Sequence, residues 1–281
     1  MEAYRRRNTE LHKVASEKDQ ELVEELDGLD PRKEEDFDRY ISKVTKVGYV
    51  AFDTETNNSL DPLTCKIMGL CFYIKNTKPV YVPINHTLPG TDTLLGGQIS
   101  EQYAKIKLQQ LSNSGAKIIY HNGKFDIRVI RNTLGVTLPI WWDTMIAAQL
   151  LDENEEAKLK YQYQTHIDPT MEVYNIEELF KSTPYAWISP ETFALYAAID
   201  TYDTLLLQEQ QQRKFERPGM EKLYKLFREV EIPVTSVVSK MEDAGVCMDK
   251  QFVEKLLIKY NKELQRQQDA LLEILRHIKI K

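Results

Sequence analysis

Between Tyr49 and Ile84 three apolar runs follow one another closely, YVAFDTET, KIMGLCFYI and KPVYVPI. Each is rich in β-branched and aromatic residues and too short for an ordinary helix, which predicts strands. The KNTK between the second and third runs predicts an antiparallel hairpin or meander. A sheet of this kind must bury a face, and helical patterns on both sides supply the cover. FDRYISKVTK precedes the first strand as a short amphipathic helix, and Ile99 to about Leu111 reads as another. AKIIYHN is a further strand, and GKFDIRVIRNTLG has helical spacing closed by Gly135. The expected class is therefore a layered domain of strands and helices, α/β or α+β.

Helical spacing returns from Asp143 to Leu151, and LDENEEAKLKYQYQ then reads as a polar stretch. Ser189 and Pro190 open a long helix, the serine as cap and the proline in the first turn. RPG at 217–219 interrupts it, and two long helical patterns, about 220–243 and 250–279, flank the turn DAGVCMD. Residues 1–28 are highly charged with weak apolar periodicity and predict an exposed helix or partial disorder, followed by the connector DGLDPRKEED. These breaks predict an N-terminal extension over 1–34, a main domain over 35–216 and a helical segment over 217–281.

With 281 residues, 42% of them hydrophobic, the chain can bury a core for one large or two small domains. No apolar run is long enough to cross a bilayer, and the N-terminus lacks the apolar region of a signal peptide, so no membrane partner and a cytoplasmic location are expected. Cys65, Cys71 and Cys247 lack CxxC spacing and are expected to be reduced core thiols. The net charge of −6 argues against a broad basic surface coating duplex nucleic acid. It leaves short substrates open, because bound cations would bring their own positive charge.

Acidic residues stand where burial or a cleft is expected. Asp53 and Glu55 alternate onto one strand face. Asp126 lies in the first turn of a helix that directly follows a strand, and Asp200 lies one helical turn after Tyr196. Each alone has a plain structural reading: solvated acids at a strand end, an Asn-Gly turn with Asp126 near a helix dipole, a packed Tyr with a solvated Asp. Asp203 could equally share the Asp200 face. Together, four carboxylates from separate elements repel one another unless cations bind between them. Hard oxygen donors suit Mg²⁺ or Mn²⁺, and two such ions serve phosphoryl transfer.

DTET, HNGKFD and YAAID, in this order and roughly 70 residues apart, resemble the three motifs of the DEDDy 3′-to-5′ exonucleases. The likeness is greatest to the proofreading domain of family A, DNA polymerase I-like, DNA polymerases of bacteria or bacteriophages. FREVEIPVTSVVSKMEDAGVCMDKQFVEKL resembles the segment that joins that domain to the polymerase thumb, unlike ribonuclease D-like relatives. The resemblance implies a ribonuclease H-like sheet and a helical C-terminal extension. It implies two divalent ions held by Asp53, Glu55, Asp126 and Asp200, with Tyr196 aiming a water at the terminal phosphorus. The implied substrate is a single-stranded or frayed DNA 3′ end, and the product a nucleoside 5′-monophosphate. Thr54, Leu60 and Asn122 are the implied substrate contacts, Leu60 as an apolar wedge against the terminal base, with a core position for Leu60 and a turn role for Asn122 as competing readings. Asp143 is expected to be structural, and His86, His121 and His166 are assigned no role. Nothing resembles the family's polymerase motifs, so the chain is expected to represent the exonuclease and the start of a polymerase domain. Two rival readings are a ribonuclease D-type RNA 3′-end exonuclease and a catalytically inert DNA-binding scaffold.

Overall fold

The computed structural model describes residues 32–57, 59–171, 180 and 183–277, so the reading of residues 1–31 lies outside the described residues. Among the described residues, five strands form one mixed sheet in the order β3-β2-β1-β4-β5. β2 (Ile67–Tyr73) runs antiparallel to both β1 (Tyr49–Thr56) and β3 (Val80–Pro83), and the β2–β3 pair is the hairpin that the turn signals predict. β4 (Lys117–Tyr120) is parallel to β1, and β5 (Trp142–Asp143) is parallel to β4. Parallel neighbours need crossover connections. Helices α1 (Glu34–Val47), α2 (Glu101–Asn113) and α3 (Gly123–Leu134) surround this part of the sheet. The side chain of Ser100 caps α2, and α3 ends on Gly135 in the left-handed conformation, φ 69°.

Beyond the sheet come α4 (Thr144–Leu151), α5 (Leu159–His166) and the long α6 (Pro190–Phe215). Ser189 caps α6 by accepting from the Thr192 amide, with Pro190 at the first turn, as expected. α5 occupies part of the stretch read as merely polar. Its sequence LKYQYQTH offers few apolar residues, yet Leu159 and Tyr163, one turn apart, are buried.

Strand register separates the two faces of the sheet. Phe52 pairs with Phe72, and these rings pack at tilted and edge-on angles with Phe37 of α1 and Tyr120 of β4 in the main core. On the opposite face Asp53 lies opposite Cys71, which lies opposite Tyr81, while Glu55 lies opposite Gly69. α6 packs along that face: Phe193 and Tyr196 join Cys71 and Tyr81 in a second core.

The helical pattern over 220–243 is not one helix. α7 (Glu221–Leu226) passes through a π turn at Phe227–Glu231 into α8 (Ile232–Ala244). Phe227 in that turn is fully buried against Trp142 and Phe215, at centroid separations of 4.7 and 5.3 Å. Arg128 and Arg131 of α3 both reach Asp243 near the end of α8. The first compact unit runs to Asp243 and the second starts at Ala244. The second holds α9 (Lys250–His277), an amphipathic helix with Phe252, Leu257 and Ile258 exposed. Cys65 and Cys71 are buried as expected, whereas Cys247 is exposed. The correction has a simple cause, since the segment between α8 and α9 is too short and irregular to bury a side chain of its own.

Candidate active site

The pairing of β1 with β4 ends at Ala51 and Ile119, so among the described residues no strand covers that edge further along β1. Helix α3 fills the gap with Asp126 in its first turn. Asp126 Oδ1 accepts from the Thr54 amide at 2.9 Å and from the Thr54 hydroxyl at 2.6 Å, replacing the missing ladder acceptor. The start of α3 is itself held by Asp143. Its carboxylate accepts from the amides of Asn122 and Gly123 at 3.1 and 2.8 Å and caps α4 through Met145 and Ile146. Asn122 supplies the turn with a left-handed backbone, φ 63°. Gly123 lets that turn close over Tyr120, whose Cγ would lie 2.6 Å from any Cβ at this position.

On the α6 side, alternation along β1 turns Asp53 and Glu55 toward the same helix that carries Tyr196 and Asp200. Burial, then Asp126, Glu55 and Asp200 in turn, push the Asp53 carboxyl well above the usual carboxylate range. Burial, then Asp200 and Asp126, push Glu55 up to about 8. Burial raises Asp126 to about 7 against the lowering effect of its Thr54 bonds. Asp53 and Glu55 both feel Asp126 and Asp200, which places the four acids around one space. Tyr196 packs edge-on to Phe180 at 5.3 Å and lies in the core around Cys71.

These residues fit a divalent metal. The oxygens of Asp53 and Glu55 and the sulfur of Cys71 can lie within 4.8 Å of one another. Burial and the neighbouring acids push the Cys71 thiol far up, so it stays protonated and is a poor ligand, which leaves hard oxygen donors.

One charged residue at the site was not anticipated. Lys160 of α5 forms an ion pair with Asp200 and a second with Asp203 at 2.8 Å. Burial opposes its charge, but Asp200 and Asp203 more than offset this and its ammonium is held firmly protonated. The available signal was the Leu159 to Tyr163 spacing, which marks a helix and puts Lys160 beside its buried face.

Of the remaining candidates, Thr54 is buried with its hydroxyl engaged by Asp126. Leu60 is 84% exposed between β1 and β2, which removes the core reading and leaves it free to meet a ligand. His86 is buried, bonded to the Tyr81 hydroxyl at 2.6 Å and to the Ile188 carbonyl, and burial lowers it to about 4. His121 contacts the Thr144 hydroxyl, and His166 contacts Glu155. None of these partners is one of the four candidate acids. Among the described residues no helix is long and apolar enough to cross a membrane.

Comparison with known proteins bears on the same region. The family model for the 3′-5′ exonuclease of family A DNA polymerases matches residues 31–216. DNA polymerase I of Borreliella burgdorferi is 31% identical over 221 residues, covering 78% of this chain and 23% of that protein. The DNA polymerase of Bacillus phage SP01 is 26% identical, covering 74% and 22%. The chain thus spans under a quarter of the length of these two relatives. Among solved structures, the POL domain of Pol1 from M. smegmatis in complex with DNA primer-template and dNTP has a TM-score of 0.59 at 16% identity, covering 83% of this chain and 35% of that one. Brucella melitensis NrnC has a TM-score of 0.52 at 21% identity, covering 72% and 90%. At such identities the structural likeness speaks for the fold, a ribonuclease H-like sheet. The family match covers most of the chain and includes all four acids and Tyr196, and the chain belongs to the 3′-5′ exonuclease family of DNA polymerase I.

Proposed function

We propose that the chain is a metal-dependent exodeoxyribonuclease that removes nucleotides one at a time from single-stranded or frayed DNA 3′ ends. The observation that carries this reading is the gathering of Asp53, Glu55, Asp126 and Asp200 from β1, α3 and α6 into one partly buried space, where burial and then the neighbouring acids raise the pKa of Asp53 and Glu55. Such an arrangement is comfortable at neutral pH only with cations among the acids. These four residues would hold two divalent ions, Mg²⁺ or Mn²⁺. When bound, such ions lower the pKa of water and offset negative charge at the phosphodiester.

The chain's own residues supply position. Thr54 fixes the Asp126 carboxylate, and Asp143 holds the helix start behind it. Tyr196, one turn before Asp200, orients the attacking water through its hydroxyl. A water oxygen bonds to the terminal phosphorus, the P–O3′ bond breaks, and the 3′ oxygen takes up a proton. The products are a nucleoside 5′-monophosphate and a strand shortened by one residue. Leu60 wedges against the terminal base, a contact tolerant of sequence, and Asn122 lies beside the strand end.

The polymerase relatives favour DNA over RNA as substrate and favour a proofreading role within a longer enzyme of the bacterial or phage-infected cytoplasm. On this reading residues 1–34 are an extension, 35–216 the exonuclease and 217–281 the beginning of a polymerase domain. The test uses matched 3′- and 5′-labelled single strands of DNA and RNA with Mg²⁺ or Mn²⁺. Stepwise loss from the DNA 3′ end, abolished by Asp53→Ala or Asp200→Ala, is expected. Equal activity in excess EDTA contradicts the metal-dependent reading, and preferential RNA shortening contradicts the DNA assignment. Intact ends alongside strand binding would favour an inert scaffold.

A further inference from the structure

We propose that Lys160 is a resident cation that competes with divalent metal for Asp200, so that metal entry shifts the ammonium onto Asp203. The inference rests on the proposed metal-binding role of Asp200. Lys160 Nζ touches Asp200 Oδ1 and lies 2.8 Å from Asp203 Oδ2. Asp200 and Asp203 are one turn apart on α6, so a single ammonium can bridge them.

The two carboxylates differ in setting. The Asp203 side chain is 2% exposed. The Asp200 side chain is 27% exposed and faces Glu55 and Asp53. A carboxylate as buried as Asp203 requires a compensating partner, which gives Lys160 an anchor independent of Asp200. A lysine ammonium is a compact charge on a flexible stem with three rotatable donors. It can therefore give up one carboxylate and keep the other.

Two consequences follow from that geometry. Without metal, the ammonium neutralises part of the charge at Asp200 and reduces the repulsion that would drive the acids apart. With metal, an ion of twice the charge must displace the ammonium from Asp200, and its affinity is set partly by how firmly Asp203 draws Lys160 away. Lys160 is thus a positioning residue whose effect on metal binding has a definite sign.

The experiment is Mn²⁺ titration of the full chain followed by electron paramagnetic resonance, with circular dichroism to establish folding. Lys160→Met should bind Mn²⁺ more tightly, on the order of tenfold, because a competing charge beside a ligand is gone. Asp203→Asn should bind it more weakly, because the ammonium then relies on Asp200. The double variant K160M/D203N removes both members of the buried pair, which guards against misfolding, and should bind Mn²⁺ more tightly than the unaltered chain. Wild-type or weaker affinity in the folded K160M and K160M/D203N proteins overturns the proposal. A different result, Mn²⁺ binding by the unaltered chain no better than by Asp53→Asn, would instead remove the metal-site reading on which the inference stands.

Discussion

Asp126 is held by Thr54, 72 residues earlier in the chain, through both the Thr54 amide at 2.9 Å and the Thr54 hydroxyl at 2.6 Å. The amide bond survives any substitution other than proline, whereas the hydroxyl bond is lost unless the replacement is serine. Thr54→Val keeps the shape and removes one charge-assisted bond, so it should lower stability by about 1.5–3 kcal/mol at a pH where Asp126 is ionised. Denaturant unfolding measures this. If Asp126 is a metal ligand, the same variant also needs more Mn²⁺ for half-maximal nuclease activity.

The carboxylates make metal-free stability depend on pH. Burial and neighbouring acids raise Glu55 from 4.5 to about 8, and burial raises Asp126 from 3.8 to about 7. The folded state keeps protons that the unfolded chain has released, so stability falls as pH rises through this window. His86, lowered by burial from 6.5 to about 4, works at the other end: its contribution is complete above 6.5 and is lost as pH falls toward 4. Between pH 6.5 and 8 the carboxylates therefore dominate. In EDTA the melting temperature should fall across that range, and Glu55→Gln should stabilise the protein at pH 8 by about 1–2 kcal/mol. A flat profile in both proteins would contradict the account.

Asp143 serves two helix starts at once, accepting from Asn122, Gly123, Met145 and Ile146. Asp143→Ala leaves those buried amides without their acceptor and should cost about 2–4 kcal/mol, more than the loss of a single cap. Asp143→Asn retains an acceptor oxygen and should cost less. Thermal melts of the two variants give the order directly.

Leu60 touches solvent over 84% of its surface. Leu60→Ala should leave stability within about 0.5 kcal/mol of the parent. Its predicted effect is on function: weaker binding of a single-stranded 3′ end in a fluorescence anisotropy titration, with metal affinity unchanged. Unchanged strand binding would remove the wedge role.

Gly69 pairs with Glu55 and leaves room for the Tyr81 ring, whose atoms lie 2.3 Å from where a Cβ would stand. Gly69→Ala must displace Tyr81, which also bonds His86. A loss of about 1–3 kcal/mol is expected, partly recovered by combining it with Tyr81→Leu.

Much of this architecture could be read before the structure. The three strands from Tyr49 to Pro83 carry their own pattern, and the ends of α3 and α6 are marked by Gly135, Ser189 and Pro190, because local sterics and capping act within a few residues. The weak places were those where distant parts decide. α5 has too few apolar residues to announce itself, and the π turn at Phe227 coincides with a ring packed on Phe215 and on Trp142, the latter far away in sequence. The apolar surroundings of Cys247 predict a buried thiol, but it is exposed.

By itself the sequence determined the alternation that turns Asp53 and Glu55 to one face, the helical turn that joins Tyr196 to Asp200, and the family to which those motifs belong. Only the tertiary structure decided that Asp126 completes the open edge of β1, that Asp203 is buried, and that Lys160 stands between two acids of α6. The division has a physical cause. Strand and helix periodicities are set by neighbouring dihedral angles, whereas the partner of a buried charge is chosen by whichever element the packed core brings alongside it.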